Sequence, residues 1–188
     1  MAIPKGTEIP KGSSQFAKFQ IGKNKFRFLS DVVVGWEMWQ NKKPVRHPGA
    51  VCKFKPEDAD TNQNGNPAIN YFWAVVVWNY QAEKIEGGYV GKIQTLEITQ
   101  KTVMSPLFDY EQSTDWGDLK NYDVEINKKE EGGKTIYNVL AIPPKPVSQE
   151  IMDAYDKSEI DLNKLFDGKY PIEDVKEDGD VDENGIVF

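Results

Sequence analysis

The chain has 188 residues, 39% of them apolar, and 30 acidic against 23 basic side chains give a net charge of −7. That length supports one core-bearing domain with appendages, and no apolar run approaches the roughly 20 residues that cross a bilayer as a helix. A single cysteine, Cys52, excludes an internal disulfide, and the opening MAIPKGTEIPKGSS lacks the apolar centre of a signal peptide, so the expected setting is a reducing cytoplasm.

The charge is uneven. Residues 1–55 hold 11 Lys and Arg against 3 Asp and Glu, a balance of +8, whereas residues 173–188 hold 7 acids and one lysine, a balance of −6. A basic front and an acidic end in one chain predict an anionic partner and a segment that competes with it.

In chain order, residues 1–24 read as a flexible basic N-terminal arm, with Ile3-Pro4-Lys5-Gly6 and Ile9-Pro10-Lys11-Gly12 followed by Ser13-Ser14. From Phe26 to Gln40, FRFLSDVVVGWEMWQ reads as one long strand bent at Gly35. A long connection rich in Pro, Gly and Asn follows, with a short strand expected around Val51–Phe54; so long a loop inside a domain points to function.

Tyr71–Tyr80, YFWAVVVWNY, is the centre of the pattern. It has no glycine, proline or charge and is almost entirely aromatic or β-branched, which favours a strand. Tyr71, Trp73, Val75 and Val77 fall on one face, and Phe72, Ala74, Val76, Trp78 and Tyr80 on the other. A strand apolar on both faces belongs in the middle of a sheet. One face lies in a core; the other packs under a second element or offers its rings to something flat.

Gln81–Gly88 reads as a turn and Lys92–Ile98 as a strand. Thr99 is placed to cap a helix over Gln100–Gln112, which Pro106 shortens or breaks. Tyr122–Asn127 and Thr135–Ile142 read as a hairpin around KKEEGGK. Residues 25–146 thus form the main domain. Residues 147–171 form a helical extension, with Ser148 opening a helix and Leu162–Phe166 a further helical turn. Residues 172–188 form an acidic tail, too poor in apolar side chains to fold alone although it ends in Ile186-Val187-Phe188. The order strand, strand, strand, helix, strand, strand is that of the OB-fold, a mainly β, five-stranded Greek-key barrel with its helix between strands three and four.

Two groups of residues carry the functional reading. Trp36, Trp39, Tyr71 and Trp73 are interleaved with Lys42, Lys43, Arg46, Lys53 and Lys55. Single-stranded nucleic acid needs cations for its phosphates and flat rings for its bases, and this stretch supplies both. For each ring the competing assignment is core, most strongly for Trp78, and for Trp73 because it shares a face with Val75 and Val77. In the tail, Asp180, Asp182 and Glu183 can occupy a basic groove when DNA is absent, and the Phe188 ring and carboxylate can dock in a partner's pocket.

FRFLSDVVVGWEMWQNKKPVR, YFWAVVVWNY and KIQTLEITQKTV together resemble phage-encoded single-stranded DNA-binding proteins of the OB-fold type, over roughly residues 25–144. The acidic tail ending in phenylalanine resembles the C-termini of such proteins. The resemblance implies binding of single strands in replication, recombination or repair, without catalysis or cofactor, and recruitment of replication or recombination proteins by the tail. Carried over by position, Trp36, Trp39, Lys43, Arg46, Tyr71 and Trp73 line the groove. The zinc site of some phage relatives has no counterpart, since His47 and Cys52 are the only soft ligands.

Other motifs fail on inspection. Asp60-Thr-Asn62-Gln-Asn64-Gly65 begins like a calcium loop but reaches Tyr71 where glutamate is required, and Gly87-Gly-Tyr-Val-Gly91-Lys92 is one residue short of a phosphate loop. One histidine and one cysteine leave little for triad or thiol catalysis. Two alternatives stand beside nucleic-acid binding: a protein-interaction module with a solubilising tail, and a carboxylate-dependent nuclease using Asp109, Glu111, Asp115 and Asp118. Oligomeric state is open, a homo-oligomer being compatible with an apolar helix face at Ile151–Tyr155.

Overall fold

A computed structural model describes residues 15–172; the first fourteen residues and the tail, with Asp180, Asp182, Glu183 and Phe188, lie outside the described residues. The protein is mainly β. Eight strands, β1 (Phe16–Ala17), β2 (Gly22–Phe28), β3 (Val33–Gln40), β4 (Lys43–Pro48), β5 (Ile69–Ile85), β6 (Gly88–Ile98), β7 (Asp123–Glu131) and β8 (Lys134–Ala141), form one curled sheet. Its main path runs β1-β6-β5-β2-β7-β8; β3 pairs with the first half of β5, and β4 pairs with β3. Among the described residues no pairing joins β6 to β8, so the sheet is a half-barrel open along that seam. Two α-helices, α1 (Lys101–Gln112) and α2 (Gln149–Ser158), and a 3-10 turn at Leu162–Asp167 complete the elements used below. Among the described residues no helix is long and apolar enough to cross a membrane.

β5 organises the rest. On its inner face, Val75 and Val77 join Phe26 and Phe28 of β2, Leu96 and Ile98 of β6, Val124 and Ile126 of β7, and Val103 and Leu107 of α1 in the main core. On its outer face, Phe72, Ala74 and Val76 form a second core with Leu162 and Leu165 of the 3-10 turn. The helical extension therefore packs on the outside of the sheet, and Tyr155 of α2 joins that second core. Gly35 permits the contact: a Cβ there would lie 2.6 Å from the His47 carbonyl oxygen and 2.6 Å from Cε1 of Phe166. It sits within β3 rather than at a bend because it admits close approach from outside the sheet.

The expected long first strand is two strands. β2 and β3 flank Leu29–Val32, and β5 passes from one to the other: Leu29 N donates to the Val76 carbonyl at 2.9 Å, and the Ser30 hydroxyl accepts from Val76 N at 3.0 Å. A side-chain oxygen thus replaces a ladder carbonyl, and the edge changes direction. Of the residues expected in the mobile arm, Phe16–Ala17 and residues 22–24 belong to the sheet. β1 runs parallel to β6, and Asn24 pins the segment leading into β2, its side chain bonding the Gln20 amide and carbonyl at 2.8 Å each. The short strand expected at Val51–Phe54 is instead β4, earlier in the connection. It pairs through a tight turn in which Asn41 and Lys42 take φ of 52° and 62° and give their amides to the Asp60 carboxylate. Pro44 and Pro48 are tolerated because β4 is an edge strand. The 81–88 turn is shorter than expected, since β5 runs to Ile85 after a register shift between Asn79 and Glu83. Helix α1 runs unbroken through Pro106, expected to shorten or break it, and its N-cap is Gln100, not Thr99. Ser148 caps α2 as expected, its side chain accepting from Ile151 N.

Where β2, β5 and β7 meet, the outer face buries a charge cluster. Arg27, 1% exposed, donates through Nε to Asp123 at 2.7 Å and through its other nitrogens to the Lys120 and Lys145 carbonyls. Lys25 and Lys145 approach the same carboxylate at 3.2 and 3.3 Å, and the Tyr80 hydroxyl donates to it at 3.1 Å. Burial alone would raise the Asp123 carboxyl, but the hydrogen bond and charge of Arg27, joined by those of Lys25, hold it below the ordinary aspartate value. The Tyr80 phenol is pushed up to about 12 by burial and by Asp123. A depressed carboxylate stabilises the fold above the unfolded-chain value of about 4 and loses that contribution as pH falls through its lowered value. Thermal unfolding followed from pH 7 downward should therefore show a steep loss below about pH 4. Asp123→Asn should flatten that acid limb while costing about 3–5 kcal/mol at neutral pH, because Arg27 is left buried without its counter-charge.

Candidate nucleic-acid interface

Strand pairing sorts the aromatic residues by face. Register places Trp36 opposite Tyr71 and Val34 opposite Trp73, so Trp36, Tyr71 and Trp73 share the inner face of the β3–β5 ladder. The Trp36 and Tyr71 rings lie 5.3 Å apart at 52°, and the Trp36 indole N–H is held by the Ala50 carbonyl at 3.0 Å. β4 continues this face, with His47 opposite Trp36 and Lys43 opposite Gln40. The loop after β4 folds back over it: the Lys53 amide donates to His47 Nε2 at 2.9 Å, and the Phe54 ring sits 4.6 Å from the imidazole. A file of rings thus runs Trp73, Tyr71, Trp36, His47, Phe54. His47 and Phe54 were not singled out as ring contacts in the sequence, where His47 stands as an isolated metal-ligand type and Phe54 in an expected strand. Only the β3–β4 hairpin brings them beside Trp36.

The bases divide. Lys42, Lys43, Lys53 and Lys55 are all exposed on or beside the β3–β4 hairpin and its return loop. Arg46 lies on the opposite face, where its guanidinium grips Glu37 at 2.7 Å and Glu97 at 2.9 and 3.1 Å and covers the Phe72 ring at 5.0 Å. Burial pushes the Glu97 carboxyl up, against the charge and hydrogen bond of Arg46, which lower it. Arg46 therefore holds β3, β4 and β6 together, and its charge is committed to two carboxylates. Trp39 is on that same outer face, 39% exposed, with its N–H on Glu37 at 3.0 Å. Two of the residues grouped in the sequence, Trp39 and Arg46, are thus separated from Trp36, Tyr71 and Trp73 by the thickness of the sheet. Trp78, also on the outer face, lies over Gly91.

Beyond Trp73 the file ends in a cleft of about 430 Å³ between the β2–β3 break, α1 and the turn at Asp118–Lys120. Phe28, Val34, Tyr71 and Trp73 supply apolar walls, and Phe108 of α1 stands 55% exposed at the cleft. The Trp73 indole N–H is buried and has no hydrogen-bond partner among the described residues. Polar groups at the cleft are Ser30, Asp31, Glu111, Asp118 and Lys120. Lys120 bridges Asp31 and Asp118, and the hydrogen bond it donates to Asp31 raises its ammonium. Glu111 accepts from the Leu119 amide at 2.8 Å. Of the four carboxylates weighed for nuclease chemistry, Glu111 and Asp118 reach this cleft; Asp109 and Asp115 do not line it.

Arg46→Ala should lower stability by about 2 kcal/mol, since Glu37 and Glu97 lose charge-assisted hydrogen bonds in a half-buried site. Urea unfolding checks it, and the midpoint should recover in part with Arg46→Lys. No protein-family model, curated protein or solved structure matches this chain.

Proposed function

We propose that this protein binds single-stranded DNA without strong sequence preference, on an OB-type half-barrel, in replication, recombination or repair. The observation that carries the reading is the file of rings on the inner face of β3, β4 and β5, flanked by four exposed lysines. Trp73 and Tyr71, two apart on β5, are spaced by about 6.8 Å, and Trp36 lies 5.3 Å from Tyr71 across the ladder, both wider than the roughly 3.4 Å step of a duplex strand. An unstacked single strand can set successive bases on such rings; a stacked duplex cannot. Stacking on each ring contributes about 1–3 kcal/mol and tolerates any base. The lysines neutralise phosphates and release counterions, which makes binding weaken with salt.

The connectivity supports the OB assignment. β2 pairs antiparallel with both β5 and β7, β5–β6 and β7–β8 are hairpins, and α1 joins β6 to β7. The unpaired β6–β8 seam departs from a closed barrel; there β1 occupies the β6 edge. The tail, read from sequence alone, acts in this proposal as an internal competitor for the lysines and as a handle for replication or recombination proteins.

Titration with oligo-dT should quench tryptophan fluorescence at low salt and less at high salt. Trp36→Ala should weaken binding about tenfold, one ring's worth of stacking. Unquenched fluorescence and unchanged affinity in that variant would transfer the face to a protein partner. Removing residues 173–188 should tighten oligo-dT binding at low salt and have little effect at high salt; equal affinities at low salt would end the competitor role.

A further inference from the structure

The cleft beyond Trp73 differs in chemistry from the ring file that leads to it. Three carboxylates, Asp31, Glu111 and Asp118, stand there against one ammonium, Lys120, which is itself bridged to two of them. Phosphate is repelled by that balance, so a DNA backbone passing along the lysines does not enter. A neutral group rich in donors is favoured. The Trp73 ring supplies an apolar wall, while its indole N–H is buried out of reach of a ligand. The apolar walls and a volume of about 430 Å³ fit a planar group of nucleobase size, within the usual 300–1,000 Å³ range for small-ligand pockets.

The four bases answer that arrangement differently. Thymine offers a single N–H between two carbonyls, which a carboxylate meets with repulsion on either side. Adenine and cytosine each place a ring acceptor beside the amino group, so one carboxylate oxygen finds a donor and the other does not. Guanine alone presents two adjacent donors, N1–H and the 2-amino group, to the two oxygens of a carboxylate. Glu111 is the better placed of the rim carboxylates for this task. Its partner is one backbone amide, Leu119 N, whereas Asp31 and Asp118 both face Lys120.

We propose that the cleft formed by Trp73, Phe108 and Glu111 is a subsite for one unstacked guanine at the end of the ring file, its donor edge read by the Glu111 carboxylate. It rests on the single-strand reading above and adds base selectivity at one position to a surface otherwise indifferent to sequence. A paired carboxylate–guanine edge gives discrimination of about 1–3 kcal/mol.

The test compares oligo-dT with the same oligonucleotide carrying one terminal dG, placed at either end, by fluorescence titration. One dG oligonucleotide should bind about tenfold tighter than oligo-dT. Glu111→Gln retains an oxygen for the Leu119 amide but loses the second acceptor, and should bring the dG-to-dT ratio close to one. Because the readout is a ratio, a general loss of folding moves both affinities and leaves it unchanged. Guanosine added alone should shift the Trp73 indole N–H resonance, identified by its absence in Trp73→Phe, where thymidine should not. Binding of oligo-dT with no dG preference, or a preference that survives Glu111→Gln, would overturn the guanine subsite and leave the single-strand reading standing. Failure of every oligonucleotide to bind would overturn both.

Discussion

A strand that is apolar on both faces has to be covered on both, and most of this structure follows from that constraint on β5. Its inner face is closed by β2, β6, β7 and α1 around Val75 and Val77. Its outer face is closed by the C-terminal extension, which lays Leu162 and Leu165 on Phe72, Ala74 and Val76. Burying a side chain of this size stabilises the fold by about 1.5–3 kcal/mol, so neither face is left to water where a cover is within reach. The inner cover thins toward the start of β5. Tyr71 and Trp73 are only half-buried there, and that is where the ring file begins.

The break between β2 and β3 follows from the same strand. β5 is 17 residues long and curved, and no one partner strand follows it along its whole edge. β2 pairs with its middle and β3 with its beginning, the Ser30 hydroxyl bridging the change of direction. The displaced residues Ser30–Val32 form one wall of the cleft. The same discontinuity in the sheet edge therefore opens the cleft beyond Trp73.

Arginine and lysine divide the work of the basic half. Arg27 and Arg46 are both buried or half-buried and grip carboxylates with their forked nitrogens, Asp123 in one case, Glu37 and Glu97 in the other. A planar, permanently charged group suits such multivalent pairing. The lysines of the β3–β4 hairpin remain at the surface, as strongly hydrated ammonium groups do. A residue count in the sequence treats the two types alike; the structure removes the arginines from the charge offered to a ligand.

Local chemistry determined much of this from sequence alone. The β-branched and aromatic run of Tyr71–Tyr80, the Gly132-Gly133 turn between β7 and β8, the 3.6-residue pattern of α1 and the Ser148 cap are written in neighbouring residues, and each lies where expected. Strand periodicity also assigned the two faces of β5 correctly. Which element covers which face was decided only by tertiary structure, as was the separation of Trp39 and Arg46 from Trp36 and Tyr71. Trp36 and Trp39 are three apart on β3, an odd step that sends them through opposite sides of the sheet. That parity becomes decisive only once β3 is known to be a strand through both positions. The pairings of His47 with Trp36 and of Arg46 with Glu97 depend on register between strands distant in the chain, which no local pattern encodes.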